Sequence, residues 1–177
     1  MSRQFWGESL WWATADGTAV DDTTTEEIVF PNVTIPANYM QDGRTLRIRA
    51  FGKLSTTGTP TITFAIRWGG VGGTLLATTE AITTASGSAN VAWALEANIQ
   101  TRSNGATGTL LVIGSVTVNL TASTQTTGVF SVSGFDAPAA VTVDLTADTA
   151  LSLTADWSAA SASNTLTGML YTGESLN

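Results

Sequence analysis

The chain has 177 residues, of which 12% are charged, with a net charge of −7 and neither cysteine nor histidine. That length suits one β-sandwich domain, with or without an arm, and the acidic balance excludes the basic footprint that nucleic-acid binding requires. The missing cysteine and histidine exclude disulfides, thiolate and imidazole metal sites, and Ser–His or Cys–His nucleophile pairs.

Residues 1–27 differ from the rest. Phe5, Trp6, Trp11 and Trp12 crowd a polar stretch that ends in the acidic, Thr-rich run from Asp21 to Glu27. Two readings are open: a first strand and loop whose aromatics cap a core, or an arm that buries its tryptophans against a neighbouring subunit, where aromatics are favoured anchors. The opening MSRQFWGESLWW lacks the three regions of a signal peptide. No apolar run approaches the roughly 20 residues of a membrane span. Assembly in a cytoplasm, with no membrane partner, is the expectation.

From Glu27 onward strands recur. Runs at 27–33 and 45–53 flank Pro36 and Asp42-Gly43, which punctuate turns. In the second run Leu46, Ile48 and Ala50 alternate with Arg47 and Arg49. In the next, at 61–68, Ile62, Phe64, Ile66 and Trp68 alternate with Thr61, Thr63, Ala65 and Arg67. Side chains alternate between the two faces of a strand, so each run has one face for a core and one for solvent. This pattern predicts Arg47, Arg49 and Arg67 on outward positions of neighbouring strands. GGVGG at 69–73 predicts a hairpin into a return strand at 74–79, and ITTASGSAN a polar loop.

Further along, Val91–Thr101 alternates cleanly around Trp93, Leu95, Ala97 and Ile99. Thr109–Leu120 is apolar on both faces in its first half, which predicts a central strand buried twice. Shorter runs follow at 128–132, 140–145, 151–157 and 165–171. About ten strands without a helix, bounded by Gly, Ser and Asn clusters, predict an antiparallel β-sandwich or jelly roll. Residues 28–177 would form it as a single domain, with 1–27 as the arm or the first strand and loop.

Catalysis would have to use carboxylates, and these fall mostly near the two ends, in turns and loops. Glu96 alone stands in a well-patterned central strand, with no second acid evident beside it. Neither Asp21-Asp22 nor Asp144…Asp148 follows the alternating acidic loop of a calcium site, and GGVGG has no Lys-Ser/Thr or helix behind it for phosphate. No cofactor or metal is therefore expected. Five of the seven basic residues (Arg44, Arg47, Arg49, Lys53 and Arg67) lie in an acid-free stretch. They read either as a solvated face or as an interface for an acidic surface, such as the N-terminal run of another copy.

The order of segments IPANY (Ile35–Tyr39), STTGTPT (Ser55–Thr61), FAIRWGGVGGTL (Phe64–Leu75) and WALEANIQTRSNGATGT (Trp93–Thr109) resembles tailed-bacteriophage and prophage structural proteins. The resemblance covers roughly residues 33–113 and implies a non-enzymatic virion component of jelly-roll type. Its most natural role is a capsid decoration (cement) protein, forming homotrimers and contacting the major capsid protein or other virion proteins. A tail, baseplate or head-fibre part is the alternative within that class. No catalytic residue is carried over. Interface candidates are Phe5, Trp6, Trp11, Trp12, Arg44, Arg47, Arg49 and Arg67. A carbohydrate-binding jelly roll, with Trp68, Trp93 or Trp157 stacking on sugar rings, is the alternative from another class.

Overall fold

The computed structural model describes residues 7–124, 126–133 and 136–176. The chain folds into an all-antiparallel β-sandwich of an eight-stranded and a six-stranded sheet. In the larger sheet β1 (Glu8–Trp12), β14 (Thr165–Ser175), β5 (Thr45–Ser55), β9 (Val91–Ser103), β10 (Gly108–Asn119) and β11 (Thr127–Ser131) lie side by side. There β2 (Val20–Asp21) adds to β14 and β12 (Val141–Val143) to β10. In the smaller sheet β3 (Glu27–Ile28), β13 (Thr149–Trp157), β6 (Thr61–Trp68) and β7 (Thr74–Thr78) follow in that order, with β4 (Val33–Ile35) on β13 and β8 (Ile82–Thr83) on β6.

The period-two pattern does what it predicts in β5, β6 and β9, whose apolar positions fill the space between the sheets. Trp93 from the larger sheet meets Phe64 from the smaller one, ring centroids 5.2 Å apart. Each Val, Leu, Ile or Phe side chain buried in this way contributes about 1.5–3 kcal/mol. In the 69–73 hairpin Gly69 and Gly70 have φ of 105° and 84°, a backbone that side-chain-bearing residues rarely adopt.

Five expectations need correction. The run at 27–33 is two short strands, because Pro31 has no N–H to give to the β13 ladder and the chain turns there to send Phe30 inward. The 82–90 segment is not simply a solvated loop: it holds β8, and Ile82, Thr84 and Ser88 are buried, with Thr84 Oγ1 donating to the Pro60 carbonyl at 2.7 Å. β10 is buried on one face only, since Leu111 is half-buried and Ile113 is 53% exposed. β5 and β6 are not neighbours but belong to different sheets, so Arg67 lies on the opposite side of the molecule from Arg47 and Arg49. Trp68, Trp93 and Trp157 are all buried. The Trp68 indole donates to the Asp144 carbonyl and that of Trp157 to the Val20 carbonyl, so none of the three can stack on a sugar.

Candidate functional site

Two features stand out at the surface. One is the outer face of the eight-stranded sheet; the other is a cleft at its β1 edge.

The outer face is ordered by strand register. Glu174 sits opposite Arg47, and Glu96 opposite Arg49, so both arginines are paired across neighbouring strands of their own chain. Opposite charges placed this way contribute a few tenths of a kcal/mol each. The bonds from Arg47 hold the Glu174 carboxyl below the usual carboxylate range. Arg44 lies with its guanidinium 4.3 Å from the Tyr39 ring centroid. The partner not legible for Glu96 is thus a base, not a second acid.

Beside these pairs runs an uncharged row. Leu170 faces Phe51, Phe51 faces Ala94, Ala94 faces Thr117 and Thr117 faces Val129, across five strands. Among the described residues, the large apolar side chains that stand exposed are Trp12, Phe51, Leu75, Ile113, Val129, Met169 and Leu170. All but Leu75 come from strands of this one sheet. Met169 and Leu170 are both exposed because a bulge after Gly168 inserts one extra residue and shifts the phase of β14.

On the other outer face Arg67 grips Glu26 through two hydrogen bonds of 2.6 Å and donates to the Gly73 carbonyl at 3.0 Å. Thr154 Oγ1 also donates to Glu26. Burial raises the Glu26 carboxyl, but the bonds from Arg67 and Thr154 and the nearby positive charge outweigh it, and the net shift is downward. Asp156, half-buried and repelled by Glu26, is pushed upward. The acidic N-terminal run therefore does meet a basic residue, but within one chain.

The cleft opens where β1 ends. Trp11 and Trp12 follow a bulge that leaves Trp11 opposite Gly173 and Trp12 opposite Thr172. Gly173 lets this happen, because a Cβ there would overlap the Trp11 indole. Trp11 leans on Tyr171 (5.7 Å, 54°), and Tyr171 stacks on Phe30 (4.8 Å, 13°). Trp12, 65% exposed, stands at the edge of a cleft of about 310 Å³ whose polar lining comes from Thr14, Asp16 and Asn32. Tyr171 Oη and Trp11 Nε1 are buried without a hydrogen-bond partner.

No family model, curated protein or solved structure matches the chain.

Of the residues singled out from sequence, Trp11 and Trp12 meet at the cleft, and Arg47 and Arg49 lie together on one face. Arg44 lies beside Tyr39, Arg67 sits on the far face, and Phe5 and Trp6 lie outside the described residues. Sequence reasoning passed over Phe51, although alternation from Arg47 and Arg49 already places it outward. Leu170 could not be found that way, since the bulge before it reverses the phase. No group of three or more acidic residues that could hold a metal ion occurs among the described residues.

Proposed function

We propose that the chain is a non-enzymatic structural subunit of a tailed-phage particle, a capsid decoration protein that assembles as a homotrimer and attaches to coat protein through the outer face of its eight-stranded sheet. One observation carries this reading: among the described residues, six of the seven exposed large apolar side chains belong to that sheet. Contiguous exposed apolar surface marks association sites, and here the adjacent arginines are already neutralised by Glu174 and Glu96. A partner therefore meets a surface whose two central arginines are already paired, so that shape and apolar area weigh heavily in the fit. The resemblance at 33–113 supports the same reading. Within the sandwich, β5 pairs with β14 and β6 with β13, early strands with late ones in both sheets. That nesting supports the jelly-roll description.

The experiment is a Phe51→Asp, Leu170→Asp double variant offered to particles that lack the protein. Occupancy in a density map should fall at least about tenfold, as burying two unpaired carboxylates would demand, while the melting midpoint stays near that of the parent. Full occupancy of the head by the variant sinks the proposed face. Density for the parent protein on the tail instead of the head sinks the decoration role.

A further inference from the structure

We infer that the cleft at the end of β1 is a binding site for the ring of a neutral sugar. Trp12 would be its platform, and the Trp11 indole N–H and Tyr171 hydroxyl the donors that position the ring. This does not rest on the virion reading.

Three observations carry the inference. First, Trp12 is 65% exposed next to a real concavity. Its volume of about 310 Å³ is at the small end of the range for ligand sites, about 300–1,000 Å³. Neighbouring Trp11 is sunk against Gly173, so the two indoles divide into one wall and one rim. Second, among the described residues four buried side-chain polar atoms have no partner, and two of them, Trp11 Nε1 and Tyr171 Oη, belong to residues that line this cleft, whereas Trp93 Nε1 and Thr101 Oγ1 lie elsewhere. Native structures rarely leave buried donors unpaired, because each has given up its hydrogen bond to water and gained none in return. A phenylalanine at 171 would fill the same space without that cost, so the hydroxyl is better explained by an acceptor brought from outside. Burial also raises the pKa of Tyr171, so the hydroxyl stays protonated and able to donate. Third, the rim offers the short polar groups of Thr14, Asp16 and Asn32. Asn32 is held in place by a 2.7 Å bond from Ser152 Oγ to its Oδ1.

These features also choose among ligand classes. Two unpaired donors on residues that line the cleft call for hydroxyl or ring oxygens, and an exposed indole calls for an apolar face; a pyranose has both. An anion is disfavoured by Asp16 and by the chain's net charge of −7. A quaternary ammonium is best held by a cage of several open aromatic faces, but here Tyr171 and Phe30 are stacked on each other and Trp12 stands open by itself.

The test uses the whole chain, labelled at its indole nitrogens, and titrates it at millimolar concentration with maltotriose, cellotriose, chitotriose and, separately, choline. At least one trisaccharide should move the Trp11 and Trp12 indole signals together. Trp12→Ala, which alters an exposed side chain and leaves the core untouched, should weaken that sugar at least about tenfold, the loss of a main apolar contact. Tyr171→Phe should weaken it about threefold to tenfold while the melting midpoint holds or rises, because a buried unpaired hydroxyl is removed. Three results would overturn the inference: no trisaccharide moves the Trp11 signal, choline alone moves it, or Tyr171→Phe binds the sugar as tightly as the parent.

Discussion

The two outer faces of the sandwich use the same chemistry in opposite settings. On the eight-stranded sheet Arg49 and Glu96 pair across adjacent strands with 38% and 49% of their side chains exposed, open to water and salt. On the six-stranded sheet Arg67 and Glu26 are both 21% exposed, joined by two short bonds and held by Thr154 and the Gly73 carbonyl. The first pair decorates a strand register that backbone ladders already define. The second ties Glu26, just before β3, to Arg67 of β6 and, through Arg67, to the Gly73 carbonyl at the end of the hairpin. The difference shows that an arginine's role follows from what its partner is attached to. The face on which Arg47 and Arg49 are matched within the sheet is also the one with apolar side chains left over, and it is the face we propose for assembly.

The sharpest way to break this contrast is Arg67→Met. It leaves Glu26 half-buried without its main partner and should cost about 2 kcal/mol, within the usual 1.5–3 for a hydrogen bond to a charged group, read by urea unfolding at neutral pH. The pH profile sharpens the point. The Glu26 carboxyl is lowered in the folded state, so the stability it supplies is fully present above its ordinary value of 4.5 and is lost as pH falls through the lower folded value. The parent should lose this increment on acidification, and Arg67→Met should lose much less; equal acid slopes would show that the pair does not stabilise the fold. Asp156 runs the other way. Its carboxyl is raised above 3.8, chiefly by burial and then by Glu26, so its charged form is a cost at neutral pH that is relieved as pH falls through the raised value. Asp156→Asn should therefore stabilise by about 0.5 kcal/mol at pH 7 and by nothing below the carboxylate range, as thermal melts at the two pH values would show. The smallest effect is expected for Arg49→Met: about 0.5 kcal/mol or less, and diminished further by salt. A loss as large as that of Arg67→Met would erase the distinction between the faces.

Reading the sequence reached a good part of this. Alternation in Thr45–Ser55, Thr61–Trp68 and Val91–Ser103 reported which side chains go inward, because a strand has only two faces and water separates them. It also reported that the central arginines point outward. It went wrong where one face had to be assigned without its neighbours. Ile113 reads as core because it is apolar, yet it faces solvent across from Asn98. Trp68 and Trp157, offered as sugar platforms only in the carbohydrate-binding alternative, fill the core with their indole N–H groups bonded to main chain.

The features legible in the chain alone are local: the strand period, the turns at Gly69-Gly70 and Asp42-Gly43, and the absence of imidazole and thiol chemistry. Tertiary structure alone decided which strands share a sheet, and with that the fate of every outward residue. It placed Arg47 and Arg49 opposite Glu174 and Glu96, and sent Arg67 to the far side to meet Glu26. It also gathered Trp11, Phe30 and Tyr171 at one corner. The physical reason is that alternation is a property of one strand, whereas pairing order and bulge phase are set by ladders between segments far apart in the chain, as β14 is from β1 and β5.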